Sequence, residues 1–170
     1  MRRNLKPFAS STAQRGSSML EILVTLVIVA IALLGTAGLQ LNAMRVNKGG
    51  QFRTQAIFMA SDIAERMEAN KAESILGTYA VAATSAVGAA ATNCAAAACN
   101  SAGLAAWDIS QWGTNITATL PQPTWSITTA GAANPITYTI VINWTDRSNV
   151  KSVNSGAIVD TYTATRTIGN

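Results

Sequence analysis

Ile22-Leu-Val-Thr-Leu-Val-Ile-Val-Ala-Ile-Ala-Leu-Leu-Gly-Thr-Ala-Gly-Leu39 contains no charged residue, and its only polar side chains are two threonine hydroxyls. Eighteen residues span roughly 27 Å as a helix, close to the thickness of a bilayer's hydrocarbon core. A single segment in lipid must satisfy its own backbone, which only a helix allows. Arg2, Arg3, Lys6 and Arg15 stand before this run, and no acidic residue precedes Glu21. That asymmetry predicts a cytoplasmic N-terminus and a translocated remainder.

The same four cations account for the net charge of +4. Of the twelve basic residues, eight lie after Gly16, and they face eight acidic ones. The basic character therefore belongs to a leader and not to a nucleic-acid-binding surface. The chain has no histidine, which excludes His-dependent triads and His metal sites. No catalytic residue, metal ligand or cofactor site is expected.

An ordinary secretory signal peptide is the plain alternative. Against it, the apolar run exceeds the usual h-region of about 7–15 residues, and no clean A-x-A site follows. Gly35 to Gly38 supplies only small residues. A sharper feature is Arg15-Gly16-Ser17-Ser18-Met19-Leu20-Glu21, with a carboxylate at the edge of the run. Charge within a bilayer is costly, about 2.5–3.5 kcal/mol at a helix centre and less near the interface, so such a residue is a functional candidate. The alternative is a single-pass anchor with an incidental Glu.

A basic leader, Gly, four residues, Glu and an apolar helix together resemble a class III prepilin signal. The resemblance implies cleavage after Gly16 by a prepilin peptidase, with Ser17 as the new, N-methylated terminus and Glu21 as the fifth mature residue. Ser17 stands where the family usually carries Phe. Physically, cleavage creates an ammonium at Ser17, and a carboxylate buried among packed helices is tolerable only opposite such a partner. The implied domains are a leader over 1–16, a transmembrane and filament-core helix over 17–44, and a periplasmic or extracellular domain over 45–170.

Beyond the run, Phe52, Ala56, Met59, Ala60, Ile63 and Met67 recur at helical spacing, with Arg53, Asp62, Glu65, Arg66 and Glu68 on other faces. One helix from about Ser18 to Asn70 is expected, roughly 80 Å long, with Gly35, Gly38 and Gly49-Gly50 as weak points. Asp62 and Arg66 read as a surface i,i+4 pair. Residues 77–106 are low in complexity and read as a loop with at most a helical turn. Cys94 and Cys99 within it are expected to form a structural disulfide in an oxidising compartment.

Ile109, Trp112, Ile116 and Leu120 predict a short amphipathic helix ending before Pro121. Trp125 and Ile127 mark one strand. The run from Ile136 to Thr145 alternates strictly and marks a second, and 158–168 marks a less regular third. Trp112, Trp125 and Trp144 fall on apolar faces, leaving Trp107 as the one whose exposure is to be tested. The fold class is α+β and pilin-like: a long N-terminal helix, half transmembrane and half amphipathic, packed on a small antiparallel sheet of three to four strands.

Three stretches are similar to the pilus modification (PilV-type) minor pilins. They are Ala64-Glu-Arg-Met-Glu-Ala-Asn70 with Tyr79, Trp112 to Leu120-Pro121, and Tyr138-Thr-Ile-Val-Ile-Asn-Trp144-Thr-Asp146. Gln122-Pro123 stand where that group usually has glycines. The resemblance implies a non-enzymatic subunit of the inner membrane and then of a surface pilus, promoting pilus assembly, adhesion and twitching motility. Implied partners are other minor pilins, the major pilin, the prepilin peptidase, the inner-membrane assembly platform and a tip adhesin, with no nucleic acid. A type II secretion pseudopilin, or a surface adhesin or DNA-binding module, are the alternatives.

Overall fold

In the computed structural model, which describes residues 18–86, 88, 90, 92–131, 134–146 and 158–169, one helix, α1, runs Met19–Ala69. It is helical through all four glycines that the sequence marks as weak points. A glycine costs about 1 kcal/mol in a helix, too little to break 51 residues. The described residues form two compact units that divide between Asn42 and Ala43.

In the second unit, α1 buries Ala56, Ala60, Ile63 and Met67, the stripe that its 3.6-residue periodicity predicts. Asn70 follows, then a single turn, α2, Lys71–Ser74. Gly77 takes φ of 79° as the chain leaves that turn, a conformation that strains any residue with a Cβ. Next come β1 (Val81–Thr84), α3 (Ser101–Thr119), β2 (Thr124–Ala130), β3 (Ile136–Asp146) and β4 (Ile158–Ile168). The strands form one antiparallel sheet in the order β1-β2-β3-β4.

Two elements differ from the sequence expectation. β1 lies inside the low-complexity segment read as loop, and its irregular register, Val81 to Ile127 and Thr84 to Trp125, fits its weak side-chain pattern. α3 begins at Ser101, well before the apolar stripe it was expected to follow. Its start is set by a cap: the Asn100 side chain accepts a 2.8 Å hydrogen bond from the Gly103 N–H. A Cβ on Gly103 would lie 2.9 Å from that Asn100 oxygen, so glycine leaves the room the cap needs.

β3 alternates buried and half-buried residues along all eleven positions. Its inward side, Ile136, Tyr138, Ile140, Ile142 and Trp144, joins Trp125 and Ile127 of β2, the α1 stripe, and Ala105, Trp112 and Ile116 of α3 in one core. Trp112 and Trp125 meet edge to face at 6.3 Å, a favoured aromatic geometry. The Trp112 indole N–H also donates to the Met59 carbonyl at 2.7 Å, tying α3 to α1. Trp107 is half-buried. The fold is thus α+β and pilin-like, a long N-terminal apolar helix packed on a four-stranded antiparallel sheet.

On the outward side of the sheet, Thr124, Asn143 and Thr161 form a hydrogen-bonded row across three strands, and Thr137 pairs with Thr167. Threonine combines β-branching, which suits a strand, with a polar group, which suits water. That explains why this side is rich in it.

Candidate functional site

The first half of α1 is unlike any other part of the described chain. Eighteen-residue windows reach a mean hydropathy of 2.7, yet none of that surface is buried. Ile22, Leu23, Val24, Leu26, Val27, Ile28, Val29, Ile31, Leu33 and Leu34 are all exposed. Its polar groups are already satisfied. The Thr25 hydroxyl donates to the Ile22 carbonyl at 2.8 Å, and that of Thr36 to Leu33 at 2.9 Å. This bonding back onto the preceding turn lets a hydroxyl enter lipid without an unpaired donor.

Glu21 lies in the first turn, where its backbone N–H donates to the Ser18 carbonyl at 2.9 Å. An acid in the first turn is favoured by the helix dipole. The side chain is exposed, so it can meet a cation brought by another molecule. Gly16 and Ser17, the expected cleavage and methylation positions, lie outside the described residues.

Cys94 and Cys99 are joined in a disulfide with a Cα–Cα distance of 5.4 Å. The pair closes the turn just ahead of α3, and the Cys99 Cβ lies 3.7 Å from the position a Gly103 Cβ would occupy. The bond therefore sits against the helix cap and constrains the loop that leads into it.

A polar cluster that sequence reasoning missed ties α1 to α3. Arg66 bonds both oxygens of Asp62 through Nε at 3.1 Å and reaches Asp108 through Nη1 at 3.1 Å. The other Asp108 oxygen accepts from the Tyr79 hydroxyl at 2.8 Å. Asn70 donates to Tyr79 at 3.2 Å and to the Ser101 carbonyl at 2.8 Å. Burial pulls the Arg66 guanidinium down, but the hydrogen bonds and charges of Asp62 and Asp108 outweigh it and raise it above its ordinary value. Burial first, and then Asp108, push the Tyr79 phenol far up. Every group here has a partner, so the cluster holds elements together and offers no reactive base or nucleophile.

The Asp62–Arg66 pair is thus more than the surface pair expected from its spacing, because α3 supplies a buried second carboxylate. The available signal was Asp108 itself. It shares the i, i+4 stripe of Trp112 and Ile116, and a charge on an apolar stripe calls for a buried partner. Among the described residues, no three His, Cys, Asp or Glu side chains gather as a metal site.

Residues 38–110 match the model of a family described as Tt1218-like, type IV pilin Tt1218. That match supports a type IV pilin family. The matched segment runs from the end of the apolar stretch, through the amphipathic half of α1 and the disulfide, into α3. Glu21 and strands β2 to β4 lie outside it. No curated protein and no solved structure matches the chain. A type IV pilin is a structural subunit, and the exposed apolar helix fits a membrane-anchored pilin. Such a surface needs lipid or other apolar helices around it to be stable.

Proposed function

We propose that the chain is a minor pilin of the pilus modification type, which enters the inner membrane through α1 and promotes the start of pilus assembly. The observation that carries this reading is Glu21, a lone exposed carboxylate at the head of an uncharged helical run. A prepilin peptidase cuts after Gly16 and frees the Ser17 amine, which is then methylated. In the assembled pilus that amine on one subunit faces Glu21 of its neighbour, sets the register between helices and offsets the burial of the carboxylate. The partners are other minor pilins, the major pilin and the assembly platform.

N-terminal sequencing of membrane-extracted protein tests the processing step, with Ser17 as the expected first residue. Glu21→Ala tests the pairing: the subunit should fold and stay in the membrane while surface pili fall in number. Normal piliation in that variant, or a mature protein that keeps its first sixteen residues, would defeat the proposal.

A further inference from the structure

A cleft of about 380 Å³ is lined by Arg45, Lys48 and Phe52 from α1, by Pro121 and Gln122 after α3, and by Thr145 and Asp146 at the end of β3. Its shape follows from local constraints. Gln122 adopts φ of 47°, which turns the chain sharply after Pro121. The Pro121 carbonyl accepts a 3.0 Å bond from the Thr145 N–H, fixing that turn to the sheet. Lys48 Nζ sits 5.3 Å from the centre of the Phe52 ring, a contact that holds the ammonium at the cleft wall.

The two cations of the cleft, like Arg53 outside it, differ from the cations that tie the domain together. Arg66, Lys71 and Arg166 each pair with a carboxylate. Neither Arg45 nor Lys48 forms an ion pair among the described residues, although Asp146 lines the same cleft. Asp146 is buried and has an interaction of its own.

Depth supplies the second argument. From Ile22 to Met44 the chain has 23 consecutive residues without a charge, about 34 Å of helix against a hydrocarbon core of about 30 Å. Arg45 is the first charge after that stretch, and Lys48 follows one turn later on the same side of α1. A helix spanning the bilayer with this run brings both cations to the level of the lipid phosphates.

We propose that this cleft binds the phosphate of a phospholipid headgroup, with Arg45 and Lys48 as the charge partners and Phe52 and Pro121 as the apolar wall for the glycerol carbons. The site belongs to the unassembled subunit in the membrane. It goes beyond the minor-pilin reading, because it is tested on isolated protein and does not depend on pilus formation.

The test is native mass spectrometry of the full-length protein in mild detergent, titrated with phosphatidylglycerol. Each cation removed should weaken lipid retention roughly fivefold, so the Arg45→Gln/Lys48→Gln double variant should bind about 25-fold less tightly. Both side chains are exposed, so circular dichroism should show an unchanged fold, and the charge-conserving Arg45→Lys/Lys48→Arg pair should restore binding. Arg53→Gln removes an exposed cation of α1 outside the cleft and should change nothing. Equal loss in Arg53→Gln would reduce the effect to general charge and overturn the site. Displacement by inorganic phosphate as effective as by phosphatidylglycerol would reassign it to a free anion. A double variant that keeps its lipid but loses pili would reassign the cleft to a partner subunit's carboxylate.

Discussion

The two halves of α1 share a secondary structure and differ in what covers them. From Ala56 to Met67, one stripe is buried by the sheet and α3, and Asp62, Glu65 and Arg66 put charge on the rest of the helix surface. From Ile22 to Leu34 the surface is apolar all round and nothing among the described residues covers it. A helix with one apolar stripe is completed by its own domain; one without a polar side must be completed by something outside it. Membership of one helix therefore says little about stability, and the covering phase decides it.

The strongest test of this contrast is Trp112→Ala, which removes a fully buried side chain and should cost about 3–5 kcal/mol in denaturant unfolding. Val29→Ala, at an exposed site of the apolar half, should leave the same transition in place. Equal destabilisation by both would break the distinction.

The converse substitution is Val29→Arg. It should cost about 2.5–3.5 kcal/mol of membrane insertion, read as protein lost from the membrane fraction, while the domain's own unfolding is unchanged.

Asp108→Ala sharpens the domain side of the comparison. It leaves the Tyr79 hydroxyl and one arm of Arg66 without their acceptor, and the expected loss is about 1–3 kcal/mol. Asp62→Ala should cost less, because that carboxylate is more exposed. Asn100→Ala removes the cap of α3 and should cost about 1 kcal/mol in the same assay.

The smallest effect concerns Glu68. The Lys71 ammonium, helped by Arg166 and opposed by desolvation, holds its carboxyl below the ordinary value. A depressed carboxyl contributes stability that is complete above its unfolded value and is lost as pH falls through the folded one. Glu68→Gln should therefore lower stability slightly at neutral pH and change little in strong acid, which flattens the acid limb of the stability curve below about pH 4.5. Unchanged stability at neutral pH, or a loss confined to acid, would contradict the pairing.

How legible these features were depends on how local their causes are. Both halves of α1 could be read from the chain, because lack of charge and a 3.6-residue period are properties of neighbouring residues. β3 was legible for the same reason, since strict alternation over eleven residues has no other simple explanation. β1 was not: Val81-Ala-Ala-Thr84 has no distinctive pattern, and it becomes a strand by pairing with β2, some forty residues later. The early start of α3 had a local signal in Asn100 and Gly103, but the surrounding alanines and glycines concealed it.

By itself, the sequence determined the apolar helix, the place of Glu21 at its start, the main strand and the faces on which Trp112, Trp125 and Trp144 are buried. Tertiary structure alone decided that Arg66 bridges to an Asp108 forty-two residues away. It also decided that Arg45 and Lys48 share a cleft with the turn at Gln122. The physical reason is range. Periodicity and charge exclusion act over a few residues and leave a pattern in the chain, whereas a buried ion pair or a cleft forms only when distant segments have packed.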